Sequence, residues 1–194
     1  MIACYPDGAT PLDPDEADGL IPSLSTKAEL NEFEERNILS ARHWAVTSRI
    51  LRRDYPNVSA LKRLHLEMFN ATWEWAGQFR RSDKNIGVHW PSISGELHAL
   101  CEDTRFWVVN RSYEWVELGA RFHHRLVAIH AFPNGNGRHA RLATDILLRQ
   151  HGQSPFTWGS QSLTPAGTVR RMYIDALWQA DAGDLDALLV FVLT

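Results

Sequence analysis

His130-Ala131-Phe132-Pro133-Asn134-Gly135-Asn136-Gly137-Arg138-His139-Ala140-Arg141, written HAFPNGNGRHAR, is the stretch on which the reading of this chain turns. Helical apolar periodicity runs into it through ELGARFHHRLVAIH, breaks at PNGNG and resumes in RHARLATDILLRQHG. A helix, a glycine-bearing loop and a second helix follow one another. Gly135-Asn136-Gly137 can adopt positive φ at little cost, so successive N–H groups can turn into one concavity and form an anion nest. The first turn of the next helix adds unpaired donors and the positive end of its dipole, an arrangement that takes phosphate readily. Arg138 and Arg141, three residues apart, are placed on one helical face where two forked cations suit a polyphosphate. His130 ends the preceding helix, and its imidazole titrates near neutrality and can accept a proton from an attacking hydroxyl. Phe132 anchors the loop in the core. Each feature alone has a plainer reading as a turn, a cap or a solvated arginine. Their convergence within twelve residues points to nucleotide chemistry. The string lacks the Gly-Lys-Ser/Thr ending of a Walker loop and no strand precedes it, so it is neither that loop nor a dinucleotide fingerprint.

Outward from this loop the chain reads as mainly α. Ser25 or Thr26 followed by Glu29 marks a helix start, after which Leu30, Phe33, Ile38, Ala41 and Ala45 recur at helical spacing. A second helix is expected over about 59–75, with Leu61, Leu64, His65, Met68, Phe69 and Trp73 on its apolar side. WAGQFRRSDKNIGVHWPSI is interrupted by Gly77, Gly87 and Pro91 and predicts a short β-hairpin flap. Helices are expected again in GELHALCEDTRFWVVN and over about 165–179 and 184–193. Residues 1–24, with Pro6, Pro11, Pro14 and Pro22, read as an irregular arm, and 25–194 as one helical domain. With 194 residues and 44% hydrophobic content, including eight Trp and eight Phe, one aromatic-rich core is expected. A formal charge of −3 excludes the basic footprint of a nucleic-acid binder. Cys4 and Cys101 read as free thiols. The start of the chain has no signal-like pattern and no stretch is apolar enough to span a bilayer, so a cytoplasmic protein is expected.

The twelve-residue string closely resembles the signature of the Fic family, HxFx(D/E)GNGRxxR. The resemblance extends to LHLEMFNATWEWAGQFR, to KNIGVHW at the flap position and to YIDALWQADAGDLDALLVFV at the C-terminal end, covering roughly 25–194. PNGNGRHAR with FTWG is similar to the branch called mobile mystery protein B, of bacterial type. The resemblance implies a Fic-type helical bundle with a hairpin flap. It also implies a protein adenylyltransferase that moves AMP from ATP to a Ser, Thr or Tyr hydroxyl of a target protein. His130 would be the general base. Gly135, Asn136 and Gly137 would form the anion hole, and Arg138 and Arg141 would hold the β- and γ-phosphates. The flap residues Asp83, Lys84, Asn85, Ile86, Gly87 and Val88 would align the target chain.

One position departs from the signature. Asn134 stands where the family has an acidic ligand for Mg²⁺, and a neutral amide oxygen is the poorer ligand for Mg²⁺ or Mn²⁺. Three readings stay open: weakened transfer with Asn134 as helper, transfer from another nucleotide donor, or a nucleotide-binding interaction module without transfer. The family's inhibitory motif (S/T)xxxE(G/N) is matched over its first five positions by Ser25–Glu29, with Leu30 in place of Gly or Asn. Glu29 is therefore the first candidate brake, acting on Arg141, and Glu34 the second, within the region 25–50. An ordinary acidic first turn is the competing account of Glu29. His123, His124, His130 and His139 match no standard zinc spacing. The target protein, the nucleotide base and the oligomeric state, a homodimer included, are not fixed by these residues.

Overall fold

The computed structural model describes residues 12–159 and 167–194, and among them the chain is helical with no strand. The described residues form nine α-helices in order: α1 (Pro14–Asp18), α2 (Lys27–Thr47), α3 (Arg49–Arg53), α4 (Val58–Phe69), α5 (Ile93–Asn110), α6 (Trp115–Ile129), α7 (Asn136–Gln150), α8 (Thr168–Asp181) and α9 (Asp186–Leu193). A 3-10 turn, Trp90–Ser92, leads into α5. No helix among the described residues is long and apolar enough to cross a membrane.

The helix starts follow local chemistry. Thr26 caps α2 by accepting from the Glu29 N–H at 3.2 Å, while the Glu29 carboxylate accepts from the Ser25 and Thr26 N–H groups at 2.8 and 2.9 Å. Asn57 caps α4 by accepting from the Ala60 N–H at 2.8 Å. The helix α4 then buries Ala60, Leu61, Leu64, His65, Met68 and Phe69 along one face. It packs between α2 and α7, while α6 lies against α7 and α5. Leu64, Met68, Phe122, Phe132, Ala140, Ala143 and Leu147 fill the space between these helices. A second cluster, with Phe156, Trp158, Tyr173, Leu188 and Phe191, joins the pair α8–α9 to α6 and α7. Each fully buried side chain of this size contributes roughly 1.5–3 kcal/mol by leaving water. The aromatic core is therefore what holds the loop between α6 and α7 in place. Cys101 is a free, buried thiol; Cys4 lies outside the described residues.

Three sequence expectations change here. The helix expected over 59–75 ends at Phe69, because the following backbone bonds elsewhere. Thr72 O accepts from Ile21 N and Gly19 O accepts from Glu74 N, both at 2.9 Å. The N-terminal arm is not irregular throughout. Residues Pro14–Asp18 form α1, capped by the Asp13–Glu16 box, and Leu20 makes an antiparallel bridge with Trp73. The flap is not a β-hairpin. Its backbone pairs with the end of α6 and the loop after it: Val88 N donates to Ile129 O at 3.3 Å and Arg80 N to Ala131 O at 3.0 Å. Donors that would have formed a hairpin ladder are spent on open carbonyls at the C-terminus of α6 and in that loop. The first residues of the helix expected over 165–179 lie outside the described residues, and α8 covers the rest.

Candidate active site

The site is built on the turn from α6 to α7. His130 caps α6 in the left-handed region, with φ 53° and ψ 57°, and is 7% exposed. That conformation turns the chain sharply out of α6 and into the loop. Burial, reinforced by the Arg80 charge, lowers its pKa to about 4. The imidazole is therefore neutral at physiological pH and competent to accept a proton.

Asn136 closes the loop. Its Oδ1 accepts from Phe132 N at 2.9 Å and its Nδ2 donates to Phe132 O at 2.7 Å. The side chain is spent on the loop itself, which leaves Asn136 with only its backbone N–H for a ligand. Phe132, 1% exposed, anchors the loop as expected and stacks on His65 with ring centroids 3.8 Å apart. Gly135 caps α7 with φ 78°. It is the only one of the two loop glycines with positive φ, since Gly137 lies within the first turn of α7. A Cβ on Gly135 would meet the Phe69 ring at 2.5 Å. Gly135→Ala should therefore cost about 1–3 kcal/mol through strain and overpacking. A thermal melt should show a drop of several degrees together with weaker ATP binding; an unchanged melt would contradict this packing.

Arg138 and Arg141 leave α7 toward different neighbours. The Arg138 guanidinium lies 5.0 Å from the centre of the Phe69 ring and its Nη1 donates to Glu34 Oε2 at 2.6 Å. Arg141 lies 5.8 Å from the centre of the Tyr173 ring on α8. Burial lowers the Arg141 pKa, and the Arg138 charge adds to the effect. Arg138 is already paired with the Glu34 carboxylate, whereas the Arg141 guanidinium is the poorly hydrated cation of the two and favours an anion.

The two inhibitory candidates part ways. Glu29 does not pair with Arg141; it is exposed and closes the α2 capping box. Its place in the first turn explains this, since an acid there complements the helix dipole and the free N–H groups. Glu34, one turn further on, is 2% exposed and reaches the site. Its Oε1 accepts from the Trp73 indole at 2.7 Å and its Oε2 from Arg138, the first arginine of the loop rather than the second.

At Asn134 the side-chain Oδ1 accepts from Gly135 N at 2.6 Å. One neutral oxygen, already bonded, does not fit a protein-held divalent cation. Among the described residues no group of three or more His, Cys, Asp or Glu is placed to hold a metal.

Two positioning residues were not singled out in the sequence. His65 is fully buried and kept neutral by burial, its pKa well below the ordinary value. Its Nδ1 accepts from Gly77 N and its Nε2 donates to Asn134 O, both at 3.0 Å, so it joins the start of the flap segment to the phosphate loop. Arg80, 1% exposed, donates from Nε to His130 O at 2.6 Å, from Nη1 to Ser82 O at 2.8 Å, and from Nη2 to Val88 O. One guanidinium thus fixes both the cap that carries His130 and the flap. Gly87 lies against the same pair, since a Cβ there would be 2.7 Å from both His130 Cβ and Arg80 Nη2. Asp83 accepts from His89 Nδ1 at 2.7 Å and Trp90 N at 2.8 Å, and Lys84 turns inward to the arm, while Asn85 and Ile86 are exposed.

Comparison with known proteins agrees with this geometry. Residues 55–148 match the Fic/DOC family. The protein adenylyltransferase Fic of Aedes aegypti is 33% identical over 119 residues, which is 60% of this chain and 22% of that protein. The chain therefore spans about a fifth of the length of the curated relative it matches. Among solved structures, Fic-1 of C. elegans superposes with a TM-score of 0.64 at 23% identity, over 92% of this chain and 51% of that one. The N-terminal Fic domain of a Bartonella quintana effector, solved with bound ADP, gives 0.68 at 16% identity over 89% and 87%. The helical bundle from Tyr55 to Leu148, with the His130–Arg141 turn near its end, is a Fic/DOC family domain.

Proposed function

We propose that this protein is an adenylyltransferase that moves AMP from ATP to a hydroxyl side chain of a target protein. The carrying observation is a neutral, buried His130 at the end of α6, joined by a short loop to the N-terminus of α7, whose first turns carry Arg138 and Arg141. The curated relative is named for this activity, and a fold neighbour was solved with ADP. In this reading the α7 N-terminus and the two arginines receive the triphosphate. His130 takes the proton from a Ser, Thr or Tyr hydroxyl, whose oxygen attacks the α-phosphorus as pyrophosphate leaves. Positioning and fixed charge supply the rate enhancement. Residues 83–88 present the target chain. A divalent cation would be held by the triphosphate, with Asn134 contributing little. The PNGNGRHAR and FTWG strings support a place in the mobile mystery protein B-like branch, and an ATP donor agrees with a cytoplasmic setting.

A second reading, nucleotide binding without transfer, is favoured by the commitment of Asn134 Oδ1 to Gly135 N. Incubation with ATP labelled at the α-phosphate, with Mg²⁺ or Mn²⁺, separates the two. Label on the chain or on a supplied protein supports transfer. ATP binding with no label under either metal overturns it.

Glu34 is the regulatory contact in this proposal. While Arg138 bonds to Glu34, it is withheld from the nucleotide. Glu34→Gln keeps an oxygen for the Trp73 indole and removes the charge from Arg138. ATP affinity should rise roughly tenfold, the equivalent of about 1.4 kcal/mol, and labelling should rise with it. Glu29→Gln should change neither. Unchanged affinity in Glu34→Gln, measured by calorimetry, would remove Glu34 from the regulation of this site.

A further inference from the structure

The N-terminal arm makes a dense set of polar contacts with the flap segment. Lys84 Nζ lies 2.7 Å from Asp13 Oδ2 and 2.6 Å from Glu16 Oε2, with its side chain only 3% exposed. Ser82 Oγ donates to the same Asp13 oxygen. The Trp75 indole donates to Glu16 O at 2.8 Å, and Gly19 packs against that indole closely enough that a Cβ would lie 2.9 Å from it. The bridge at Leu20 and Trp73 fastens the other end of the arm. Two carboxylates at this distance offset the cost of taking the ammonium out of water. Exposure alternates along the flap: Ser82 and Lys84 are half-buried, whereas Arg81, Asp83 and Asn85 are exposed.

We propose that residues 12–20 are a brace for the target-docking segment, with Asp13, Glu16 and Lys84 as positioning residues that hold the flap with Arg81, Asn85 and Ile86 outward. Arg80 fixes the flap to the His130 turn, and Asp13 and Glu16 fix it to the arm. An ordered flap meets an extended target chain without first losing conformational freedom, so target binding is stronger than it would be to a loose loop. The target role rests on the transferase reading above; the brace itself does not.

The test uses the full chain and two variants, Asp13→Asn with Glu16→Gln (D13N/E16Q), and Lys84→Met, which keeps the buried stem and removes the charge. Amide hydrogen exchange is followed across 78–90, with α4 as the internal control for folding. Both variants should exchange at least tenfold faster across 78–90 and be unchanged in α4. ATP affinity should stay within twofold, and labelling of the chain from labelled ATP should fall severalfold. Unaltered exchange across 78–90 in either variant overturns the brace. Faster exchange with undiminished labelling overturns its part in target docking. Faster exchange with no labelling even in the parent protein supports the brace and sinks the transferase reading instead.

Discussion

Replacing His130 with alanine is expected to lower nucleotide transfer by two to four orders of magnitude while ATP affinity stays within about twofold. The separation follows from the geometry. In the proposed reading the phosphate contacts would come from the α7 N-terminus, Arg138 and Arg141, none of which needs the imidazole. Alanine in a left-handed cap costs about 1–2 kcal/mol. His130→Asn, which tolerates that conformation better, should lose transfer equally and melt closer to the parent. A rate loss that tracked the melting point instead of the imidazole would argue against His130 as the base. The pH profile gives an independent check. With its pKa at about 4, His130 stays deprotonated down to that value. The rate should therefore show no step near pH 6.5, where a solvated imidazole would titrate.

Such a profile meets a limit, because the fold itself should fail first in acid. His65, His123, His130 and His139 are all buried and held neutral, chiefly by desolvation. For His123, His130 and His139 the pKa falls to about 3, 4 and 4. In the unfolded chain each takes up a proton near pH 6.5. Below that pH the unfolded state binds more protons than the native state. Stability present above pH 6.5 is then lost progressively toward pH 4. Each unit of separation corresponds to ~1.4 kcal/mol, against a total of about 5–15 kcal/mol for a typical domain. Asp145 acts in the opposite sense: burial raises it to about 6, so the native state gains a proton there. One carboxyl offsets only part of four imidazoles. Melting temperatures at pH 7.5, 6 and 5 should fall steeply, by well over 10 °C across the range. A flat series would mean that these rings are solvated or protonated in the native state.

The helical frame was legible because its determinants are local. Apolar spacing located α5, α6 and α7, and Thr26 with Glu29 marked the start of α2. The loop was legible for the same reason, since base, glycine and arginines lie within twelve residues. What escaped depends on partners distant in sequence. His65 looked like one apolar-face residue of α4, yet its two nitrogens serve Gly77 and Asn134. Arg80 looked like a charged flap residue, yet it satisfies carbonyls fifty positions away. The hairpin expectation failed because turn residues report a bend without reporting who receives its hydrogen bonds. Glu29 fitted the spacing of the family's inhibitory motif, but the physical competitor, a first-turn cap, accounts for it fully. Glu34 could have been favoured over it: it falls at the turn spacing of the apolar face with Leu30, and an acid there must find a partner.

The alternation along 81–85 has an evolutionary consequence. Side chains that fix the segment and those that face outward are interleaved along one short stretch. Arg81 and Asn85 can be exchanged without removing a contact of Arg80, Ser82 or Lys84, whereas Asp83, 3.6 Å from Arg80, belongs with the residues that hold the turn carrying His130. Recognition of a partner and the chemistry done on it can therefore diversify at separate rates within a single unchanged backbone.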